Sequence, residues 1–160
     1  MSRPYRSFLA ITYSSEENLI EMLPGVESHL GKYDFFSHFI QLTGSPAGRA
    51  GGNLQKIFSM KKLLSWEKLE PFYKKVERIK KQGGPGALLL PGYLSLEQVV
   101  TLHEQNSPEK IRVGRNLYAR LEFIHDGKKY RKTPWVSPEL DSPDSEKFFS
   151  DLRRIYQTEA

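Results

Sequence analysis

The chain has 160 residues, of which 38% are hydrophobic and 27% are charged, and its formal net charge is +5. This length is typical of one domain with its own hydrophobic core, so we predict a single domain over residues 1–160. The absence of cysteine excludes disulfides, thiolate zinc sites, iron–sulfur clusters and a cysteine nucleophile. No apolar run has the length of a signal peptide or a membrane span, so we expect a soluble, cytoplasmic protein.

The first predicted elements are a strand and a helix. Residues 7–13 are apolar and rich in β-branched and aromatic side chains, which predicts a buried strand. Ser14 and Glu17 have the spacing of a capping box, and apolar residues follow at helical intervals, so a helix is predicted to begin there. The Pro24-Gly25 pair predicts a kink or a break within that helix.

The middle of the chain alternates between strand and helix patterns. Residues 33–40 predict a second strand, about 41–53 a mobile glycine-rich loop, and 54–60 a third strand. A second helix is predicted within 65–81, because apolar residues recur there along one stripe. Pro71 suits the first turn of that helix.

A short strand, a turn and a third helix are predicted next. The apolar run at 87–90 predicts a buried strand, which the turn signal Pro91-Gly92 would end. Ser95 and Gln98 again have capping-box spacing, and the apolar residues after them fit a helix.

The last third of the chain predicts an antiparallel meander and a closing helix. The strands are expected at 109–113, 117–124 and 128–133, with a hairpin turn at Asp126-Gly127, and the helix begins at Ser142-Pro143. The order over about 7–90 is then β-α-β-β-α-β, the order of a ferredoxin-like unit. We therefore predict an α+β fold with a ferredoxin-like core, followed by a helix, an antiparallel meander and a C-terminal helix.

The positive charge is concentrated in two blocks. Residues 56–81 carry nine Lys or Arg against three Glu, and residues 110–132 carry eight against two acidic residues, a net of +6 in each block. Such blocks attract phosphate groups if they share a face, and otherwise form a solvated surface. The candidate polyanion-binding residues are Lys74, Arg78 and Lys81 on the second helix, and Arg112, Arg120, Lys129 and Arg131 on the late strands.

Motifs for catalysis or for a cofactor are missing from the sequence. The glycine-rich loop lacks the Gly-Lys-Ser/Thr of a P-loop, and no Gly-x-Ser-x-Gly is present. The four histidines lie on different predicted elements without metal-ligand spacing: His29, His38, His103 and His125. We predict no catalytic residue, no metal and no cofactor, while a site assembled only by folding is left open.

Three motifs make the chain similar to a bacterial family known as domain of unknown function 4416. They are Leu90-Pro91-Gly92-Tyr93-Leu94, Asn116-Leu117-Tyr118-Ala119-Arg120 and Thr133-Pro134-Trp135-Val136-Ser137-Pro138, in that order. The family pattern at these places runs Asp-Pro-Gly-Tyr-Leu, Gly-Ile-Tyr-Ala-Glu and Trp-Thr-Tyr-Pro-Asp-Tyr. The opening strand and the closing helix also fit, so the resemblance covers nearly the whole chain.

The chain departs from this family pattern at several polar positions. Leu88 and Leu90 stand where the family has Asn and Asp, Lys110 replaces Arg, Arg120 replaces Glu, and Gln105-Asn106 replaces Lys-Asp. If those polar residues form a site in relatives, this chain has lost most of it. The resemblance thus implies a divergent member that keeps the scaffold, and it implies no settled biochemical role.

Three functional hypotheses follow from the sequence. The first is a non-catalytic binding protein whose basic surface holds a polyanionic partner, either nucleic acid, a nucleotide or an acidic protein. The second is a small hydrolase or transferase for a phosphorylated ligand, with a candidate pocket beside the predicted Pro91-Gly92 turn. Its lining would be Tyr93, Lys110, Tyr118 and Trp135, with Arg120 nearby. The third is an interaction domain whose charge only keeps it soluble, and none of the three involves a membrane.

Overall fold

We describe a computed structural model that defines residues 3–42, 52–82 and 87–159. Within these residues the fold is α+β, with three α-helices and nine strands in one sheet. The helices are α1 (Glu16–Leu30), α2 (Leu69–Gln82) and α3 (Pro143–Thr158), and short 3-10 helices lie at Trp66–Lys68 and Pro138–Leu140. The strands are β1 (Arg6–Tyr13), β2 (Tyr33–Phe36), β3 (Ile40–Gln41), β4 (Leu54–Met60), β5 (Leu88–Leu94), β6 (Gln98–His103), β7 (Lys110–Gly114), β8 (Leu117–His125) and β9 (Tyr130–Lys132).

The sheet is antiparallel throughout, in the order β2-β4-β1-β5-β6-β8-β7, with β3 added to β4 and β9 added to β8. β1 is a central strand, paired with β4 on one side and β5 on the other. All eight of its residues are buried, which explains why its sequence is an almost continuous apolar run. We call the end of the sheet formed by β6, β8 and β7 the wing.

Helices cover both faces of the sheet and divide the core in two. Leu9 and Ile11 of β1 belong to the cluster that α1 and α2 complete, and we call this side the helical face. Phe8 and Ala10 point the other way, into the cluster that α3 completes, and we call this side the α3 face. Successive residues of a strand point to opposite faces of the sheet, so alternate residues of β1 belong to different core clusters.

The ends of the helices follow local capping chemistry. The Ser15 hydroxyl, one residue after the predicted cap, accepts a hydrogen bond from the Asn18 N–H and begins α1. Ser142 caps α3 in the same way, through the Ser145 N–H, so the predicted start of the last helix is confirmed. The helix is not broken at Pro24, because α1 continues through this exposed residue, and a kink there stays a prediction.

The predicted helix after residue 95 is wrong, since this segment forms β6. Val99, Val100 and Thr101 are β-branched, and they pack well on a pleated sheet. The Ser95 N–H donates to the Gln98 carbonyl, and the Ser95 hydroxyl accepts from the Gln98 N–H. The spacing that resembles a helix cap therefore closes the turn between β5 and β6.

The predicted turn at Pro91-Gly92 is also wrong, because both residues lie inside β5. Pro91 is opposite Leu9 of β1, and pairing with β6 begins only at Gly92. A proline is tolerated here because β6 does not yet flank the strand at this position.

The α+β class is confirmed, and the rest of the predicted order agrees in part. The sheet has nine strands, so it is larger than the four-stranded ferredoxin-like unit expected over 7–90. The predicted meander corresponds to β7, β8 and β9, with Asp126 and Gly127 between the last two strands. Most of the predicted glycine-rich loop, residues 43–51, lies outside the described residues. In the described part of the chain, no helix is long and apolar enough to cross a membrane.

Candidate polyanion-binding site

The strand register of the wing aligns several cationic residues on the α3 face. Arg120 of β8 lies between Thr101 of β6 and Lys110 of β7. One step along, His103, Tyr118 and Arg112 form a second row of the same kind. Directly opposed residues of antiparallel strands point to the same side. We call the surface formed by Lys110, Arg112, Arg120, His103 and Tyr118 the cationic face.

The cations of this face are held by carbonyl oxygens more than by carboxylates. The Lys110 ammonium donates to the Gln105 carbonyl at 2.8 Å, and the Arg112 Nε to the Gly114 carbonyl at 3.2 Å. Arg120 donates to the Trp135 carbonyl, and its nearest carboxylate, that of Glu109, lies 3.9 Å away. Much of the positive charge is therefore free to attract an anion.

A buried carboxylate lies beneath the cationic face. Glu122 is fully buried and accepts hydrogen bonds from the Thr101 hydroxyl at 2.8 Å, the Ser137 N–H at 2.7 Å and the Ser137 hydroxyl at 2.6 Å. These three donors satisfy the group and attach the segment after β9 to β8. Sequence reasoning missed Glu122. Its burial depends on the segment after β9, and the residues around Glu122 do not indicate that this segment will cover it.

His103 joins this network to the surface. Its Nε2 lies 2.7 Å from the Thr101 hydroxyl oxygen. Since the Thr101 hydrogen is donated to Glu122, the oxygen accepts from Nε2–H, and Nδ1 is left as the proton acceptor of the ring. Burial, then the charges of Lys110 and Arg120, lower the pKa of His103 to about 4. The ring is therefore neutral near pH 7, in a strongly cationic setting.

The basic residues of α2 lie on a different side of the molecule. Lys74, Arg78 and Lys81 are exposed on this helix, which covers the helical face of the sheet. Arg112 and Arg120 point to the opposite, α3 face. The sheet thus separates Lys74, Arg78 and Lys81 from Arg112 and Arg120, whereas Arg115 of the second block lies near Lys74 on the α2 side.

The remaining two predicted cations lie on the hairpin between β8 and β9. Lys129 is exposed, whereas the Arg131 guanidinium pairs with the Asp126 carboxylate. Backbone N–H groups of Lys129 and Lys128, together with Arg131, hold the pKa of Asp126 well below its usual range. Arg131 is therefore less available to an external anion than Lys110 or Arg112.

The four residues of the predicted pocket do not line one cavity. Tyr93 points to the helical face, where it packs in the cluster completed by α1 and α2. Lys110 and Tyr118 point to the α3 face, and Trp135 lies beside Arg120 through its carbonyl. The sheet lies between the Tyr93 ring and the other three residues, so the structure does not bring all four together.

Several of the expected departures from the family pattern lie on the α3 face of the sheet. Leu88 is opposite Thr12, and Leu90 is opposite Ala10, which places both leucines on the α3 face. Lys110 and Arg120 lie on that face too. Four of the positions where we expect a departure from the family pattern, Leu88, Leu90, Lys110 and Arg120, thus lie on one side of the sheet, whereas Gln105 and Asn106 lie between β6 and β7.

The family model for a domain of unknown function, DUF4416, matches residues 3–156, nearly the whole chain. No curated protein matches, and no solved structure matches. Across residues 3–42, 52–82 and 87–159, no three His, Asp or Glu side chains are grouped to hold a metal ion.

Proposed function

The chain belongs to the DUF4416 family, and we propose that it is a non-catalytic binding domain whose cationic face holds a polyanionic partner. The observation that carries the proposal is the register of β6, β8 and β7, which brings Lys110, Arg112 and Arg120 to one side of the wing. Phosphate groups spaced along a polymer can meet several of these cations at once.

The aromatic residues beside these cations favour single-stranded nucleic acid among the polyanions. Tyr118 lies between His103 and Arg112 in one cross-strand row, and Trp135, which is 40% exposed, adjoins Arg120. Interleaved aromatic rings and cations suit a strand whose bases are free to stack. Lys74, Arg78 and Lys81 lie on the outer side of α2. Their neighbours support a stacked base less well than Tyr118 and Trp135 do, so we assign α2 a secondary role in binding.

We also propose that residues 6–94 form a ferredoxin-like unit to which β6–β9 are added. The support is the order β2-β4-β1-β5 with antiparallel neighbours, and the packing of α1 and α2 on one face. In this arrangement the wing is an extension of the unit, and the cationic face belongs to that extension.

The binding proposal is tested by fluorescence anisotropy with labelled single-stranded RNA and duplex DNA, at about 50 and 200 mM salt. Two double variants carry the same change of charge, from +5 to +1: Lys110→Glu with Arg112→Glu, and Lys74→Glu with Arg78→Glu. We expect the first to weaken RNA binding by about tenfold or more and to reduce the salt dependence by about one unit per lost phosphate contact.

The α2 variant is the matched control for total charge. At about 200 mM salt, charges separated by more than about 8 Å are largely screened, so we expect it to change the affinity by less than about twofold. An equal loss of RNA affinity in both variants would show that the change of net charge alone weakens binding. Failure of the wild-type chain to bind either probe at the lower salt would overturn the proposal.

One observation favours a second candidate, a hydrolase or transferase for a phosphorylated ligand. The chain of hydrogen bonds from Glu122 through Thr101 leaves His103 Nδ1 as a proton acceptor beside Lys110 and Arg120. Release of phosphate from p-nitrophenyl phosphate or ATP by the wild type, and its loss in His103→Gln, would support this candidate. No release by the wild type above a buffer blank would leave the binding function as the better account.

A further inference from the structure

The helical face of the wing contains a groove that α1 and α2 do not cover. Its volume is about 390 Å³, within the range of small-ligand sites. The groove lies on the opposite side of the sheet from the cationic face, so it is independent of the proposed function. It is lined by Tyr5, Trp66, Tyr93, Ser95, Glu97, Gln98, Val100, Glu109, Ile111, Val113, Ala119 and Leu121. We call it the aromatic groove.

Three aromatic rings form one wall of this groove. The Tyr5 and Tyr93 rings are 4.5 Å apart between centroids, and Trp66 meets Tyr5 edge to face at 6.3 Å. Trp66 is 43% exposed, so part of its indole is available to a ligand. Burial raises the pKa of Tyr93 to about 12, so its phenol is neutral near pH 7. The wall therefore presents uncharged rings with negative faces.

The charge of the groove is the reverse of that of the whole molecule. Its lining includes the carboxylates of Glu97 and Glu109 and no Lys or Arg, in a chain whose net charge is +5. A hydrogen bond from the Ser107 hydroxyl to Glu109 lowers the pKa of this carboxyl. Glu109 is partly balanced by Arg120, whose guanidinium lies 3.9 Å away and belongs to the cationic face. Arg3 lines an adjoining pocket together with Tyr5 and Glu97.

Strand alternation explains how one strand serves two surfaces. In β7 and the residue before it, Glu109, Ile111 and Val113 line the groove, while Lys110 and Arg112 belong to the cationic face. Ile111 is 73% exposed and adds apolar surface to the groove. The groove thus combines apolar surface, aromatic rings and negative charge.

We propose that the aromatic groove binds a small alkylated ammonium ion. Its positive charge would lie against the exposed part of the Trp66 indole and the Tyr5 ring, which packs on the buried Tyr93, with Glu97 and Glu109 at the rim. Alkyl substituents suit this place better than a bare ammonium, because they bury the exposed apolar surface of Ile111 and lower the cost of desolvating the cation.

The test uses choline as the probe and 3,3-dimethyl-1-butanol as its neutral isostere, added to the full chain labelled with ¹⁵N. The chain has two tryptophans, so the indole N–H signal of Trp66 reports on the groove and that of Trp135 serves as an internal control. We expect choline to shift the signals of Trp66, Val100 and Ile111 in a saturable manner, and the isostere to bind about tenfold or more weakly.

Matched variants separate the cation site from a general apolar cleft. Glu97→Gln removes a groove carboxylate, and we expect about a threefold or greater loss of choline affinity. Glu67→Gln removes the exposed carboxylate next to Trp66, outside the lining, and is expected to change nothing. The dispersion of the spectra shows whether each variant is folded.

Three outcomes would overturn the proposal. Equal binding of choline and its neutral isostere would show an apolar cleft with no preference for a cation. Absence of shifts at Trp66 with tens of millimolar choline would show that no such site exists. Shifts of the groove signals that depend only on protein concentration would show that a second copy of the chain covers this surface.

Discussion

Gly92 occupies a place in β5 where no side chain fits. A Cβ added there would overlap the Val100 carbonyl oxygen and the ring of Phe8, which lies across the strand. The carbonyl is part of β6, so relief requires the two strands to move apart. We expect Gly92→Ala to lower the free energy of unfolding by about 1–3 kcal/mol, the usual cost of overpacking, as measured by urea denaturation.

Gly25 provides the matched control for this prediction. It lies within α1, and a Cβ added there meets nothing within 4 Å. Gly25→Ala should raise the free energy of unfolding by about 0.5–1 kcal/mol, because alanine favours the helix. Equal stability of the two variants would contradict the assignment of Gly92 to the interior of the sheet.

His103 should make the stability of the protein depend on pH. Its pKa falls from 6.5 to about 4 on folding, mainly through burial. Between these values the unfolded chain binds more protons, so the free energy of unfolding decreases as the pH falls from about 7 towards 4. We expect the wild type to lose more stability than His103→Gln between about pH 7 and pH 5, measured by urea denaturation. The same loss in both proteins would show that His103 is not the titrating group.

At the scale of elements, the sequence predicts a helix or a strand best where its residue pattern fits only one of the two. The continuous apolar run of β1 and the capped stripe of α3 both match the structure. Ser95 and Gln98 mislead, because a Ser-x-x-Gln spacing can close a β-turn as well as cap a helix. The β-branched residues of β6 are the signal that decides between them.

The candidate site is less predictable than the elements. Sequence reasoning identified Lys110, Tyr118 and Arg120, but it also grouped Tyr93 with them. Which residues share a face depends on the register of β6, β8 and β7, and a shift of one residue reverses every side chain. The burial of Glu122 likewise depends on Ser137, which lies in another segment of the chain, and no local pattern reveals this contact.

The helix α3 depends on aromatic packing to cover its face of the sheet. Phe149 is fully buried, with its ring 5.0 Å from Phe8 and 5.7 Å from Phe123 between centroids. We expect Phe149→Ala to destabilise the protein by about 3–5 kcal/mol through lost burial and a cavity. Phe39, which is 60% exposed, is the control, and Phe39→Ala should change stability by less than about 0.5 kcal/mol in the same denaturation experiment. Similar losses in both variants would contradict this role for α3.

At the scale of the whole molecule, one buried cation joins the two ends of the chain. Arg6 of β1 is fully buried, and it donates to the Met60 carbonyl at the end of β4. Its guanidinium also contacts the Asp34 carboxylate of β2 at 2.8 and 2.9 Å, and that of Glu159, just after α3, at 3.3 Å. A buried guanidinium is costly unless its charge is balanced, so these carboxylates couple β1, β2 and the C-terminal end.

This coupling predicts a graded and non-additive loss of stability. Asp34→Ala should cost about 3 kcal/mol, because it leaves a buried charge with one distant partner, and Glu159→Ala about 1 kcal/mol. The double variant should cost more than the two single losses together, by about 0.5–3 kcal/mol, since Arg6 then has neither carboxylate. Asp151, which pairs with Lys147 and Arg154 on the surface of α3, is the control, and Asp151→Ala should cost less than about 1 kcal/mol. Strict additivity of Asp34→Ala and Glu159→Ala in denaturant titrations would show that the two ends of the chain are held independently of Arg6.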